Sequence, residues 1–251
     1  MNKFLIIFSI VFSLSKIGSA QFRSKGSIEF TRSVNQKLNF QLEADEDFKK
    51  NSFYKEILKQ LSTNAESYFK MDYNKVQTVY FFDKDGETKS KMNFGGKIAE
   101  ENTVIQNFKS NQITAQKAVF EKDLIIQDSI PQYLWKIHDE QRTIAGYPCR
   151  KATTIINDSV VVVAFYTDQI MVSSGPESFG GLPGMILGLA IPRLYTTWFA
   201  TKVNDVELPE SQIKKIKKGK AVTYSEMNKD LESRLKEWGK HGQAILWKCT
   251  L

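Results

Sequence analysis

The sequence predicts a mainly β protein, with a curved antiparallel sheet or partial β-barrel and two short helices. Many short runs rich in β-branched and aromatic residues follow one another, and turn residues separate them. The strongest run covers residues 160–166 and reads Val-Val-Val-Val-Ala-Phe-Tyr. Its unbroken apolar character indicates a strand that is buried on both faces. Apolar residues recur at helical spacing in two stretches, which predict the helices.

The remaining strands are assigned from weaker alternation of apolar and polar residues. They are expected over residues 26–41 (a strand pair), 68–73, 76–82, 88–94, 117–123, 133–138, 141–144, 150–156 and 194–203. Residues 84–87 predict a hairpin turn between two of these strands, in which Gly86 tolerates a positive φ. Residues 157–159, Asn-Asp-Ser, predict a second turn immediately before the valine-rich strand.

Two amphipathic helices are predicted from apolar side chains spaced three and four residues apart. The first begins behind Asn51 and Ser52, and the second runs from Ser225, as its N-cap, to Lys240. Their apolar stripes consist of Phe53, Ile57, Leu58 and Leu61 in the first, and Met227, Leu231, Leu235 and Trp238 in the second.

The N-terminus has the order of a secretory signal peptide. Lys3 precedes an apolar run over residues 4–14, and Gly18, Ser19 and Ala20 supply a small-residue cleavage site. We therefore expect residues 1–20 to be a signal peptide and Gln21 to be the first mature residue. Residues 21–251 are expected to form a single domain that is exported to the periplasm or to the periplasmic side of the outer membrane.

The chain is mildly basic, with a formal net charge of +7. Its lysine-rich segment at residues 214–220 fits a solvated strand edge, and export makes nucleic acid an unexpected partner. The apolar segment at residues 181–200 contains Pro183, Pro192 and Arg193, which are costly in an isolated membrane span. We expect it to form a core-facing strand and loop, with no transmembrane span.

The chain has two cysteines, Cys149 and Cys249. The exported compartment is oxidising, which favours a disulfide between them. Such a bridge would close a loop of about 100 residues and stabilise the fold by about 4 kcal/mol.

The most specific feature of the sequence is a glycine-rich block. Residues 175–187 read Gly-Pro-Glu-Ser-Phe-Gly-Gly-Leu-Pro-Gly-Met-Ile-Leu. This block resembles the signature of the GLPGLI family of exported Bacteroidota proteins, with Met185 in place of the usual leucine. The resemblance extends over residues 130–190 and includes Trp135, Ile144, Gly146, Tyr147, Cys149, Lys151, Ala152 and the strand that begins at Phe165, where the family has tryptophan.

The resemblance implies an exported protein of undetermined function without established catalytic residues. Genes of the GLPGLI family often lie beside TonB-dependent outer-membrane transporters, which implies such a transporter as a candidate partner.

The block itself allows two interpretations. In the first it is a packed loop, in which Pro183 and Gly184 form a type II turn and Leu182, Met185, Ile186 and Leu187 enter the core. In the second it is a loop that contacts a ligand or partner. The candidate contact residues are Gly175, Pro176, Phe179, Gly181, Leu182, Pro183, Gly184 and Met185.

Strong catalytic and metal-binding motifs are missing from the sequence. It has no His-Glu-x-x-His, no phosphate-binding Gly-x-x-x-x-Gly-Lys loop and no Gly-x-Ser-x-Gly elbow. His138, with Asp139 and Glu140, could supply a base and acids, but this pattern is more typical of a solvated strand edge. No catalytic residue, metal ligand or cofactor is therefore assigned.

The leading hypothesis is a non-enzymatic binding or accessory protein of the bacterial envelope, with a small apolar or peptide ligand. The alternatives are a hydrolase or protease-associated domain that acts on peptide or glycan, and a structural subunit of an envelope complex. Ser129 and Ser159 each follow an aspartate and precede an apolar residue, a triplet that resembles Bacteroidota O-glycosylation sites.

Overall fold

The protein is built on one 12-stranded sheet. The computed structural model describes residues 23–87, 98–120, 122–206, 216 and 221–251. The strands are β1 (Gly26–Asn35), β2 (Asn64–Tyr73), β3 (Gln77–Asp85), β4 (Thr103–Asn107), β5 (Gln112–Val119), β6 (Lys122–Ser129), β7 (Lys136–Ile144), β8 (Tyr147–Ile156), β9 (Val160–Thr167), β10 (Met185–Ile191), β11 (Thr196–Asn204) and β12 (Ala221–Val222). The predicted signal peptide and Gln21 lie outside the described residues, as do residues 88–94 and most of the lysine-rich segment.

The strand order is β12-β6-β5-β4-β3-β2-β1-β11-β10-β9-β8-β7. All neighbours are antiparallel except β12 and β6, which run parallel. Because β12 and β7 lie at the two edges, the sheet is not closed. These observations confirm the predicted mainly β fold with a large, mostly antiparallel sheet.

The buried side chains form one core on the inner face of this sheet. Alternation along β1 places residues such as Ile28 and Phe30 inward, while their neighbours face outward. The valine-rich strand β9 follows the same rule, because Val160 and Val162 are fully buried whereas Val161 is 44% exposed. The expectation of burial on both faces of β9 is therefore wrong. Hydrophobic character alone could not show that its outer face lacks a full second layer.

The described helices occur in two groups along the chain, one after β1 and one after β12. They are α1 (Gln36–Glu43), α2 (Glu46–Lys50), α3 (Ser52–Gln60), α4 (Tyr224–Leu235) and α5 (Gly239–Cys249). The predicted first helix is confirmed as α3, and its N-cap Asn51 accepts a hydrogen bond from the Phe53 amide at 2.9 Å. Residues 36–41, expected as strand, instead belong to α1. The Asn35 side chain caps this helix by accepting from the Leu38 amide at 3.0 Å.

The predicted C-terminal helix is also present, but its boundaries differ from the prediction. Thr223 rather than Ser225 is the N-cap, because Thr223 and Glu226 form a reciprocal capping box. The helix breaks at a 3₁₀ turn before Gly239, whose φ is +54°. Met227, Leu231 and Leu235 are buried as expected, whereas Trp238 is 49% exposed beside this break.

The turns differ in how well the sequence predicted them. Asn157 and Asp158 have left-handed φ values of 48° and 58° in the tight turn between β8 and β9, as expected. Gly86 does not adopt a positive φ. Glycine is required at this position because an added Cβ would lie 2.8 Å from the Glu66 carbonyl oxygen. Residues 117–123, expected as one strand, instead contain the turn between β5 and β6 at Phe120, whose φ is 58°.

The predicted disulfide is wrong. Cys149 in β8 and Cys249 at the end of α5 are both buried free cysteines. The Cys149 Sγ donates to the Tyr147 carbonyl oxygen at 3.4 Å, so this thiol is satisfied locally. Burial raises the pKa of each thiol to about 11. An even cysteine count and an exported context could not reveal that the two side chains occupy separate parts of the core.

Among the described helices, none is long and apolar enough to cross a membrane. The apolar segment at residues 181–200 instead forms β10, a 3₁₀ turn at Pro192–Leu194 and the start of β11. The side chains of Ile186, Leu189 and Trp198 are buried there, which confirms the prediction of a core-facing strand and loop.

Candidate functional site

The glycine-rich block connects β9 to β10 and crosses the inner face of the sheet. Its residues 175–180 are all buried, and only Gly181 and Pro183 of the predicted contact residues are exposed. The Trp135 indole Nε1 donates to the Gly180 carbonyl oxygen at 2.8 Å, and Ser174 lies 3.1 Å from the Thr78 hydroxyl of β3. The side chains of Phe179, Leu182, Met185, Ile186 and Leu187 all enter the core. Most of the block is therefore packed interior.

The end of the block depends on the absence of a side chain at Gly184. Gly184 has a φ of +145°, and an added Cβ would lie 2.0 Å from the Thr167 carbonyl oxygen. Its amide donates to the Leu182 carbonyl oxygen at 2.7 Å, two residues back along the chain. This is a three-residue γ-type turn, so the expected type II turn is wrong although the positive φ is confirmed.

At the centre of the block, Glu177 is a buried acidic residue with a left-handed backbone. Its φ is 57°, an uncommon value for a residue other than glycine. The Asn102 Nδ2 donates to its carboxylate at 2.7 Å, and the Tyr80 hydroxyl lies 3.5 Å from the other oxygen. Burial and the Glu177 charge together raise the pKa of Tyr80 well above its usual value, so this phenol is neutral.

Lys117 of β5 is a buried cation in the same interior. Burial lowers its pKa, and the negative charge of Glu177 partly opposes this effect. Its Nζ donates to the main-chain oxygen of Cys249 at 3.0 Å and lies 5.7 Å from the centre of the Tyr224 ring. The Lys117 ammonium is therefore buried against the Tyr224 ring, where the Glu177 charge favours its protonated form.

A polar cleft of about 290 Å³ lies above this charged interior. Distant segments meet there: the end of β6, the segment before β7, the β8–β9 turn, the glycine-rich block, the start of α4 and the residue after α5. The residues that define it are Asp128, Tyr133, Asn157, Ser178, Tyr224 and Asn228, with Ser129 and Thr250 at its rim. We refer to it as the polar cleft.

Hydrogen bonds hold the walls of the polar cleft together. The Asp128 carboxylate accepts from the Ser129 amide at 2.7 Å and from the Tyr224 amide at 3.1 Å, which joins β6 to α4. The Tyr133 hydroxyl lies 3.0 Å from the Ser178 hydroxyl, which donates to the main-chain oxygen of Leu251. Ser178 thus fixes the glycine-rich block to the wall of the cleft.

Two buried polar atoms of the cleft lack a hydrogen-bond partner within the described residues. They are the Tyr224 hydroxyl and the Asn228 Oδ1. The Ser178 hydroxyl is near enough to oppose the rise in the pKa of Tyr224, but no well-formed hydrogen bond joins the two groups. Buried polar atoms are nearly always satisfied, so these two atoms mark the cleft as a candidate site for further hydrogen bonds.

The family of the chain is shown by a match that covers most of its sequence. A family model described as N-glycanase peptide, N-terminal domain, matches residues 61–230. The chain belongs to this N-glycanase N-terminal domain family. The GLPGLI resemblance over residues 130–190 lies inside the matched range and stays a separate prediction.

Two solved structures of PNGF-II share the fold of this N-glycanase-family chain. PNGF-II in the P21 space group matches with a TM-score of 0.52 and 18% identity, over 81% of this chain and 33% of that one. PNGF-II in the C2 space group matches with a TM-score of 0.51 and 16% identity, over 90% of this chain and 33% of that one. The chain thus spans about a third of the length of these structures. No curated protein matches it.

The side chains that line the polar cleft are suited to hydrogen bonding. Burial raises the pKa of Tyr133 to about 12 and that of Tyr224 still further, so both phenols act as neutral donors. Asp128 is its only carboxylate among the described lining residues, and two main-chain amides occupy it. Among all the residues that the structure describes, no group of three or more His, Cys, Asp or Glu side chains is placed to hold a metal ion.

The residues proposed from sequence for other chemistry lie elsewhere or at the rim. His138 is on the edge strand β7, where its Nε2 lies 2.8 Å from the Thr153 hydroxyl, and it does not line the polar cleft. Ser129 and Ser159, the predicted glycosylation sites, are both exposed. Sequence reasoning missed Tyr133, Tyr224 and Asn228, and placed Ser178 only as part of the block. Their positions gave no motif, because they approach one another only in the folded chain.

Proposed function

We propose that this chain is a non-catalytic accessory domain of the bacterial envelope that binds a glycan or glycopeptide in the polar cleft. Membership of the N-glycanase N-terminal domain family supports a glycan-related ligand. Because the chain spans about a third of PNGF-II, the activity of a whole N-glycanase is not carried over to it.

The observation on which the proposal rests is the pair of unsatisfied atoms, Tyr224 Oη and Asn228 Oδ1, in a cleft lined by other polar side chains. A sugar ring presents hydroxyl and amide groups that can donate to Asn228 and accept from Tyr224. Pro131 and Ile156 line the same cleft and provide apolar surface beside these groups. A cleft of about 290 Å³ is at the small end of ligand sites, which fits one sugar residue and its linkage.

The number of carboxylates in the cleft and the hydrogen bonds of Asp128 favour a binding role over hydrolysis. Hydrolysis of a glycosidic bond by an acid and a base generally requires two carboxyl groups that face the scissile bond. Asp128 is the single carboxylate of the described cleft, and its oxygens already accept from the Ser129 and Tyr224 amides. Its geometry is that of a structural acceptor.

The direct test is calorimetric titration of the protein with an asparagine-linked glycopeptide, the same peptide without sugar, and N,N′-diacetylchitobiose. We expect the glycopeptide and the disaccharide to bind and the bare peptide not to bind. Tyr224→Phe removes one hydroxyl and should weaken binding by about two- to tenfold, the usual net contribution of one hydrogen bond. Tyr195→Phe, which removes an exposed hydroxyl outside the cleft, is the matched control.

The stability of Tyr224→Phe separates a ligand role from a structural one. Because the hydroxyl has no well-formed partner among the described residues, its removal should leave the melting temperature unchanged or slightly higher. Equal binding of the bare peptide and the glycopeptide, or no binding of any probe, would contradict the proposal. Release of free glycan from the glycopeptide during incubation would support the hydrolase alternative instead.

The cellular part of the proposal is tested separately. Fractionation of the native host should find the protein in the periplasm or with the outer membrane. Capture of a TonB-dependent transporter by the tagged wild-type protein, followed by identification of the bound chains, would support that partner.

A further inference from the structure

A second cavity lies among the N-terminal helices and shares no residue with the polar cleft. It measures about 320 Å³ and lies between α1, α2, α3 and the start of α5. Phe40, Phe48 and Phe53 supply most of its apolar wall, and Glu43, Asp45 and His241 form its polar side. We refer to it as the helical pocket.

The aromatic wall of the helical pocket is held in a fixed arrangement. Phe40 and Phe48 meet edge to face with ring centres 6.1 Å apart, and Tyr54 stacks on Phe40 at 5.2 Å from behind the pocket. Tyr54 is buried, whereas Phe53 at the mouth is 55% exposed. The faces of aromatic rings carry partial negative charge, so a wall of several phenyl rings attracts organic cations.

The acidic side chains around the pocket other than Asp45 each form an ion pair with a basic neighbour. Glu43 accepts from His241 at 3.0 Å and from the Lys248 ammonium, so both of its oxygens are engaged. Glu46 forms an ion pair with Lys49 at 2.9 Å, and Asp47 forms one with Lys50 at 2.9 Å.

Asp45 differs from these neighbours. One of its oxygens accepts from the Phe48 amide at 2.7 Å, and it makes no ion pair with any described residue. Asp45 is exposed and its charge acts on Lys49 without forming an ion pair, so its carboxylate can accept from the charged group of a cationic ligand.

We propose that the helical pocket binds a small organic ammonium compound with an aromatic or short aliphatic body. The apolar body occupies the space between the phenyl rings, and the ammonium group lies at the mouth, where it pairs with Asp45. An anionic amphiphile is disfavoured, because Lys248 and His241 already face Glu43 and Asp45 would repel a second negative charge. The volume of the pocket suits one six-membered ring with a short chain.

The test is a titration of the full chain, followed by NMR or calorimetry, with phenethylammonium and with 3-phenylpropionate. The two probes have similar aromatic bodies and opposite charges. We expect phenethylammonium to bind more tightly by about tenfold, the effect of exchanging an attractive for a repulsive charge at a partly exposed site.

Two variants assign the binding to this pocket. Asp45→Asn removes the charge but keeps a good N-cap for α2, so the fold should be unaffected while phenethylammonium binds about three- to tenfold more weakly. Phe53→Ala removes the ring at the mouth and should also weaken binding, with melting temperature as the check on folding. Asp158→Asn, at an exposed turn outside the pocket, is the matched control and should bind as wild type.

The proposal is overturned if phenethylammonium does not bind at millimolar concentration, or if 3-phenylpropionate binds equally well. It is also overturned if Asp45→Asn binds phenethylammonium as tightly as Asp158→Asn does. None of these outcomes bears on the polar cleft, since the two sites share no residue.

Discussion

The side chain of Asn102 donates a 2.7 Å hydrogen bond to the carboxylate of Glu177 in the protein interior. The two residues are 75 positions apart in sequence, and the bond joins the entrance of β4 to the centre of the glycine-rich block. It is the shorter of the two hydrogen bonds that the Glu177 carboxylate accepts from described residues, since Tyr80 reaches it only at 3.5 Å. A buried carboxylate that loses such a donor retains its full desolvation cost.

We therefore predict that Asn102→Leu lowers the free energy of unfolding by about 2–4 kcal/mol, because it leaves the Glu177 charge without its best donor. Asn64→Leu, at an exposed position in β2, is the matched control and should change stability by less than about 0.5 kcal/mol. Denaturant unfolding of both variants measures the difference. Equal stabilities would mean that the Asn102 bond contributes nothing to holding Glu177.

The two positive-φ glycines of the block should respond very differently to alanine. At Gly184 an added Cβ would lie 2.0 Å from the Thr167 carbonyl oxygen, whereas at Gly181 the nearest atom is 3.7 Å away. Gly184→Ala combines backbone strain with a clash against main chain, so we expect a loss above about 3 kcal/mol. Gly181→Ala suffers backbone strain alone, and we expect about 1 kcal/mol.

Thermal and denaturant melts of these two variants test the packed arrangement of the block. Leu182→Ala and Ile186→Ala should each cost about 2–5 kcal/mol, because both side chains are buried in the core. If Gly184→Ala were as stable as Gly181→Ala, the approach of Gly184 to Thr167 could not be as close as described. That result would also reopen the interpretation of the block as an adaptable contact loop.

Some strands and turns could be predicted from sequence because their determinants are local. The valine-rich run at β9 and the turn at Asn157 and Asp158 each specify their conformation within a few residues. The exposure of Val161 could not be predicted in this way, since it depends on what covers the outer face of the sheet. Likewise, the sequence around Asn35 is compatible both with a continuing strand and with a helix start. In the structure Asn35 is the N-cap of α1.

The polar cleft could not be predicted from sequence, because its residues approach one another only in the folded chain. Asp128, Ser178 and Tyr224 come from separate parts of the chain and have no common spacing. The sequence did identify the block that contains Ser178, because Gly180, Gly181 and Gly184 are unusual together. It could not show that the block is buried, because glycine-rich segments serve equally well in exposed loops and in tightly packed ones.

Both cysteines should be reduced and unreactive in the native protein. Burial raises the pKa of Cys149 and Cys249 to about 11, so almost no thiolate is present at pH 8. We expect a maleimide reagent to label neither thiol in native protein and both thiols after unfolding without reductant. Intact-mass spectrometry counts the labels, and an unfolded, unreduced protein with no labelled thiol would restore the disulfide.

The contact between Glu43 and α5 should make stability depend on acid pH. Burial raises the pKa of Glu43, but the hydrogen bond from His241 and the Lys248 charge outweigh it, so the net pKa lies below the usual 4.5. A carboxyl whose pKa is lower in the folded state binds protons more readily when unfolded. Its contribution to stability is therefore complete above about pH 4.5 and is lost as pH falls through the folded-state value.

Glu43→Gln tests this dependence. At pH 7 the variant should lose about 1–3 kcal/mol, because the charge-assisted bonds that join α1 to α5 are gone. As the pH falls below 4.5, the stabilities of wild type and variant should converge, since protonated Glu43 no longer differs in charge from glutamine. Glu46→Gln is the control: Glu46 pairs with Lys49, but its side chain is 71% exposed and solvent screens the pair, so this variant should follow the wild-type curve closely. Urea unfolding at several values between pH 3 and pH 7 provides the curves. A difference between wild type and Glu43→Gln that stays constant down to pH 3 would show that Glu43 stabilises the helices by packing and not by its charge.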